Sequence, residues 1–199
     1  MVFSSDGFIN NYSIVRVENI EQRRAIELVN EDWLLNNIAQ IFSAESIKSS
    51  LPKLQCNYPK LHRIEFDFLI YGSLDIVSKQ LAQFLEKKIN AEFIPIEGYY
   101  QGKRYTEKQF YIMHLFDRYE AIDLSKSVYH EYPPEAGGGI NTVEKIVLDE
   151  TKINQSSAFI LQELALTCFR NDICEDISAN GFKGLRFIPI NEYQNVRTM

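Results

Sequence analysis

The tetrapeptide Phe-Ile-Pro-Ile occurs twice in the 199-residue chain, at 93–96 and 187–190, and this duplication is the strongest constraint on the fold. Each copy follows a helix-like stretch and precedes a polar–aromatic tail, Glu97-Gly98-Tyr99 or Asn191-Glu192-Tyr193. Two copies exclude a solenoid, which needs about three or more repeats. Two interpretations remain open: coincidental recurrence of a common helix–strand arrangement, or two structurally equivalent halves packed around one core.

The first copy predicts a helix that begins after Ser78 and leads into a strand at 93–96. Serine is a preferred N-cap residue because its hydroxyl accepts a hydrogen bond from an otherwise unpaired backbone N–H. Four apolar residues spaced at i, i+3, i+4 and i+8 would form one buried face: Leu81, Phe84, Leu85 and Ile89.

The second copy predicts a short helix, a glycine stop and a strand between Cys168 and Ile190. Asn171 is a suitable N-cap, and Gly181 can adopt the left-handed conformation that ends a helix. Pro189 cannot donate to a strand ladder, so it should stop the last strand or confine it to a sheet edge.

The remaining hydrophobic patterns predict further strands and helices. Strands are expected at Ser13–Val17, Leu61–Tyr71, Gln109–Phe116 and Lys145–Leu148, and helices at Ile20–Val29 and onward through Trp33 to Phe42. The run Ser157–Leu166 fits a strand plus turn or a buried helix equally well. Because strands and helices do not strictly alternate, we predict an α+β fold with mixed, largely antiparallel sheets and packed helices. The chain should form a single domain, with an N-terminal region at 1–60 and a core at 61–190.

Charge and cysteine content exclude several classes of protein. The net charge of −6 disfavours nucleic-acid binding, which usually leaves a basic footprint. Three cysteines without a C-x-x-C pair argue against a disulfide framework or a zinc site. The N-terminal sequence does not resemble a signal peptide, and no apolar run approaches the roughly 18 residues of a membrane span. We therefore expect a cytoplasmic protein.

No residue pattern commits the chain to catalysis, a metal or a cofactor. The three histidines, His62, His114 and His130, lack metal-ligand spacing, and His130 is the one placed in a loop where it could contribute to binding. Cys168 and Cys174 flank a predicted helix start, which can lower a thiol pKa, although buried cysteines usually act as small hydrophobic residues. The glycine run at 137–139 lacks the Lys-Ser/Thr of a phosphate loop and predicts an exposed loop.

Tyrosines and carboxylates concentrate in one third of the chain. Seven of the eleven tyrosines lie between Tyr99 and Tyr132, and residues 92–150 carry eleven acidic and six basic side chains. Tyrosine is common at interface hot spots, and acidic neighbours would steer a basic partner. Strand tyrosines can equally pack half-buried against a sheet. The interface hypothesis assigns eight partner-binding residues: Glu97, Tyr99, Tyr100, Tyr129, His130, Glu131, Tyr132 and Glu135.

Four stretches, in order, carry a resemblance to a known family. They are Asp67-Phe68-Leu69 with Asp75–Leu81, Tyr111 with Ala121–Ser127, Lys145–Asp149, and the closing helix with Gly-Phe-Lys-Gly-Leu-Arg-Phe at 181–187. Together they resemble family eleven of the bacterial polymorphic-toxin immunity proteins, first catalogued as a domain of unknown function. The likeness covers residues 64–190, and Asn171 stands where a capping serine is expected.

The resemblance implies a cytoplasmic, non-catalytic immunity protein that binds a cognate toxin domain and neutralises it by stoichiometric occlusion. The alternatives are an enzyme that acts on a small molecule or on a modified toxin, and a non-catalytic structural module. A buried histidine beside a carboxylate or beside Cys174, in a pocket with convergent polar groups, would favour the enzyme.

Overall fold

A computed structural model describes residues 11–29, 31–36 and 38–195 of the chain. The described residues form fourteen strands: β1 (Tyr12–Val17), β2 (Glu27–Leu28), β3 (Leu54–Asn57), β4 (Phe68–Tyr71), β5 (Leu74–Ser78), β6 (Ala91–Tyr100), β7 (Lys103–Arg104), β8 (Phe110–Leu115), β9 (Arg118–Tyr119), β10 (Val128–Glu131), β11 (Ile140–Lys145), β12 (Ala158–Leu161), β13 (Leu166–Arg170) and β14 (Leu185–Pro189). They also form four α-helices: α1 (Glu31–Asn36), α2 (Ile38–Ile41), α3 (Lys79–Leu85) and α4 (Asn171–Ala179).

The fold is α+β with mixed sheets, as the sequence predicts. Among the described strand pairs, β3–β6 and β9–β12 are parallel, and the other pairs whose direction is described are antiparallel. The chain divides into two compact units. The first unit comprises the residues up to Arg16, Arg118–Asp176 and the residues from Phe187 onward, and the second comprises Val17–Asp117 and Ile177–Arg186. The prediction of a single domain stays a prediction.

The second unit is built on a seven-stranded sheet of order β2-β3-β6-β8-β5-β4, with β7 added to β6. Its core is aliphatic and aromatic, and the largest fully buried side chains in this cluster include Leu54, Leu69, Ile76 and Phe110. Trp33 packs against this cluster and is half-buried, which agrees with its predicted place on an apolar helical stripe. Burial of these apolar side chains supplies most of the drive to fold.

Most residues of a five-stranded sheet of order β14-β1-β13-β12-β9 belong to the first unit, which also contains a separate two-stranded ribbon, β10–β11. Ile14, Phe159 and Cys168 are fully buried in its core. Val143 of β11 and Ile146 just after it belong to the same cluster, so the ribbon contributes one side to this core. The ribbon is therefore anchored within the unit by apolar contacts.

Both copies of Phe-Ile-Pro-Ile follow a helix and lie in strands, but the two strands have different surroundings. In the first copy the Ser78 hydroxyl caps α3 by accepting from the Leu81 N–H at 3.3 Å, as predicted. Pro95 lies in the part of β6 that pairs with β8 alone, one residue before pairing with β3 begins. In the second copy Pro189 ends β14, which is an edge strand, again as predicted.

Asn171 is the first residue of α4 rather than the residue before it, and its side-chain oxygen accepts from the Ser13 hydroxyl at 2.9 Å. Gly181 adopts the predicted left-handed conformation with φ of 72°. The ambiguous run from Ser157 to Leu166 is not one buried helix: it contains β12, a one-turn 3-10 helix at Gln162–Leu164 and the first residue of β13.

Several predicted elements are wrong in type or extent. Residues 20–24 form a 3-10 helix instead of the start of a long α-helix, and β2 follows. The stretch predicted as one strand at 61–71 begins as a 3-10 helix at 61–64, and only β4 is extended. The strand predicted at Lys145–Leu148 lies earlier, in β11, and β5 was not predicted. For β5 and β11, pairing with neighbouring strands decides the structure where the local pattern does not.

Candidate partner-binding surface

Two of the four stretches that carry the family resemblance, the one at 67–81 and the Gly-Phe-Lys-Gly loop at 181–184, meet in the second unit through the carboxylate of Asp67. Its Oδ1 accepts from the Ser78 hydroxyl at 2.8 Å, and its Oδ2 accepts from the Lys183 backbone N–H at 3.0 Å. The Asp67 backbone N–H donates to the Lys183 carbonyl at 2.8 Å. One carboxylate thus joins the start of α3 to the Gly-Phe-Lys-Gly loop.

Gln22 completes this arrangement from within the core, where its side chain is fully buried. Its Nε2 donates to the carbonyls of Phe68 at 2.6 Å and Gly184 at 2.8 Å, and its Oε1 accepts from the Asn19 N–H at 2.6 Å. Gly184 has φ of 90°, and a Cβ there would lie 2.5 Å from the Gln22 Nε2. We call Gln22, Asp67, Ser78, Lys183 and Gly184 the motif junction. The contacts of the motif junction hold the fold together, so these two motif stretches have a structural role.

The three predicted interface residues of the second unit lie at the end of β6, and each has an internal partner. Glu97 forms ion pairs with Lys53 at 2.8 Å and Arg104 at 3.0 Å. The hydrogen bond from Lys53, more than any other contact, lowers the pKa of Glu97. The Tyr99 hydroxyl donates to Glu97 at 3.3 Å, and Tyr100 packs against the core. All three side chains therefore already have contacts within the second unit.

The five predicted interface residues of the first unit lie together on β10 and the loop that follows it. Tyr129 turns inward and packs against the core. His130 and Glu131 are exposed, and the His130 Nε2 lies 3.3 Å from the Glu144 carboxylate on β11. Tyr132 is 38% exposed, and Glu135 is exposed in the loop. This loop also contains the glycine run, whose residues all have positive φ.

Two apolar residues that the sequence analysis missed extend this region. Leu124 is 50% exposed and Val128 is 46% exposed, in the same segment as Tyr132. The available signal was the spacing of Leu124, Val128 and Tyr132, four residues apart in a mostly polar segment. That spacing, however, is typical of a helix rather than a strand. We call Leu124, Val128, Glu131, Tyr132 and Glu135 the β10 surface.

The β10 surface is acidic. Residues 128–144 contain three glutamates and neither lysine nor arginine. Within the described ranges, no hydrogen bond or ion pair engages the carboxylates of Glu131 and Glu135. An exposed mixture of apolar, aromatic and unneutralised acidic side chains is typical of a protein-binding surface.

Burial and local contacts describe the surroundings of His114 and of two cysteines. The buried His114 places its Nε2 3.1 Å from the backbone carbonyl of Glu45 and its ring edge-on to Phe116. Burial raises the pKa of the Cys56 thiol to about 11 and that of Cys174 to about 12, which disfavours the reactive thiolate at neutral pH. His62 is exposed on a 3-10 helix.

A cavity of about 110 Å³ lies beside β6 and β7, lined in part by Glu97, Arg104 and Lys108. Its charged groups already have partners, since Arg104 pairs with Glu97 and the Lys108 ammonium donates to the Glu65 carbonyl at 2.8 Å. Across 11–29, 31–36 and 38–195, no cluster of three or more histidine, cysteine or acidic residues could hold a metal ion. None of the described helices is long and apolar enough to cross a membrane.

Comparison with protein families matches residues 14–192 to the Imm11 immunity protein family. The match begins about 50 residues before the stretch that carries the sequence resemblance, so β1 and the capping residues around Gln22 are part of the family's fold. No curated protein matched the chain. Because the family match covers nearly the whole chain, the protein belongs to the Imm11 immunity protein family.

Proposed function

We propose that the protein binds a cognate bacterial toxin domain in the cytoplasm and neutralises it by stoichiometric occlusion. The family match over residues 14–192 is the observation that carries this proposal. An immunity protein of this kind needs a stable surface rather than a reaction centre. A standard interface of about 1,600 Å² in total would be large enough to cover a toxin's active site.

The β10 surface is the best-supported contact region. Its segment presents Val128 and Tyr132 as exposed anchors and Glu131 and Glu135 as exposed carboxylates. The end of β6, with Glu97, Tyr99 and Tyr100, is a weaker candidate because Lys53 and Arg104 already neutralise its carboxylate. The acidic character favours a toxin with a basic face, such as the substrate-binding side of a nuclease.

Binding without catalysis is supported by the state of the residues that would perform chemistry. The buried His114 places its Nε2 3.1 Å from the backbone carbonyl of Glu45. The cysteine pKa values are raised by burial. These raised pKa values disfavour a cysteine nucleophile, so we favour binding over the enzyme alternative.

The direct test uses the purified protein as bait in a lysate of its own organism at about 0.15 M salt, where weak surface attractions are largely screened. Mass spectrometry should identify a partner that binds one to one. That partner should arrest growth when expressed alone and become harmless when this protein is expressed with it. Capture of a metabolite only, or a partner that remains toxic on co-expression, would contradict the proposal.

A further inference from the structure

The ribbon β10–β11 has one edge that no other strand covers. Among the described residues β10 pairs only with β11, and it is four residues long. On the other strand, the Asn195 backbone N–H donates to the Val143 carbonyl at 2.9 Å, so β11 has a further neighbour. An uncovered strand edge presents a row of backbone donors and acceptors to any extended chain.

The irregularities of the ribbon all fall on β11. Val128 pairs with Lys145 and Tyr129 with Val143, which leaves Glu144 as an extra residue on β11. His130 pairs with Thr142 and Glu131 with Ile140, which leaves Asn141 as a second one. The spacing of β10 is therefore uninterrupted. Bulges often protect an edge strand from pairing, but here they lie on the strand that is not the open one.

Side chains around this edge define what could pair with it. Val128 and Tyr132 offer apolar surface, while Glu131 and Glu135 offer negative charge that no lysine or arginine between 128 and 144 offsets. An acidic strand with an open edge repels a second copy of itself, because like charges would face each other across the new pair. Charge complementarity instead selects a segment that contains lysine or arginine.

We infer that the outer edge of β10 accepts an extended, basic segment of the toxin as an added strand. This inference rests on the proposed function and specifies how the partner is recognised. Backbone hydrogen bonds along β10 would give affinity, and contacts to Val128, Glu131 and Glu135 would give specificity, as in other cases of strand addition. Pro133 and Pro134 follow β10 closely and limit the added strand to about four to six residues.

The first experiment uses a defined peptide, Thr-Lys-Val-Lys-Val-Lys-Val-Lys-Thr with both ends capped, added to the full-length ¹⁵N-labelled protein. A matched peptide carries N-methyl groups on its central valine and on the lysine that follows it, which removes one donor from each edge and leaves every side chain unchanged. Another replaces each lysine with glutamate. Amide shifts should concentrate at 128–132, with a Kd on the order of 1 mM, and both matched peptides should bind roughly tenfold more weakly or not at all.

Protein variants separate the β10 edge from general attraction to an acidic protein. Glu131→Lys should weaken peptide binding roughly tenfold, whereas Glu175→Lys, the same charge change on an exposed position of α4, should change it less than about twofold. Unchanged far-UV circular dichroism would show that both variants fold. Equal binding of the N-methylated peptide, or shifts spread away from β10, would overturn strand addition.

The toxin recovered with the bait then distinguishes the two proposals. Toxin binding that weakens with Glu131→Lys and protects β10 amides from hydrogen exchange supports both. Toxin binding that Glu131→Lys does not weaken and that leaves the β10 amides unprotected overturns strand addition. The immunity function would then still stand. Failure to recover any toxin that the protein neutralises overturns both, because the inference assigns the β10 edge to that partner.

Discussion

Replacing Gln22 with methionine should destabilise the second unit strongly although it removes no charge and little volume. The side chain makes three hydrogen bonds to backbone groups of Asn19, Phe68 and Gly184, all shorter than 3.0 Å. A buried hydrogen bond contributes about 1 kcal/mol net, so Gln22→Met should cost about 3 kcal/mol. The Gly184 carbonyl keeps its second donor, the Glu18 N–H at 3.1 Å, which argues against a larger loss.

Trp33 makes this measurable because it is the only tryptophan and packs against the core of the second unit. Urea unfolding followed by its fluorescence should show a midpoint lowered by about 2 M, if the slope is about 1.5 kcal/mol/M. Gln83→Met is the matched control, since Gln83 is exposed on α3 and should shift the midpoint by less than about 0.3 M. Equal midpoints for the two variants would refute the claim that Gln22 holds the motif junction.

Three further predictions concern local contacts. Gly98→Ala should lower the free energy of unfolding by at least about 2 kcal/mol, because the added Cβ would overlap the Tyr58 ring. In a double-mutant cycle this loss should be smaller in a Tyr58→Leu background, and an equal loss would argue against the overlap. Burial raises the pKa of Cys56 to about 11, so a thiol reagent at pH 8 should label Cys56 only after unfolding. The stability that the buried, protonated Cys56 thiol contributes should decrease as pH rises from about 9 towards 11. Rapid labelling of the native protein would contradict this. The hydrogen bond from Lys126, followed by that from Ser125, lowers the pKa of Asp123 to about 2, so the stabilising effect of Asp123 should be present above about pH 4 and disappear as pH falls towards 2. Carboxyl NMR should show that Asp123 titrates near pH 2 in the wild type and closer to pH 3.8 in Lys126→Met. A wild-type titration near pH 4 would disprove the contact.

Sequence patterns predicted the elements whose hydrophobic period is regular. β8 was located to within one residue at each end, and the Ser78 cap of α3 was correct. β5 was missed because its residues are mostly buried on both faces, which removes the alternation that identifies a strand. β11 was misplaced because its extra residues Asn141 and Glu144 break the period of two.

The candidate surface was predictable in part. Clustered tyrosines and acidic residues located β10, but sequence alone gave no reason to separate Glu131 from Glu97. The difference arises from tertiary ion pairs: Lys53, the residue before β3, and Arg104, on β7, both pair with Glu97. Leu124 and Val128 were missed because exposure of an apolar side chain depends on what the rest of the chain leaves uncovered.

The motif junction also has a consequence for the order of events on the ribosome. Asp117 completes the main part of the second unit, yet Gly184, which accepts from Gln22, follows it by 67 residues. At about 5–20 residues per second, synthesis of these 67 residues takes roughly 3 to 13 s, and during that time Asp67 lacks its contacts with Lys183. We expect chains stalled before Gly184 to be cut by protease near Asp67 and full-length chains to resist. For the immunity function proposed above, this interval favours a supply of finished protein that is present before the toxin arrives.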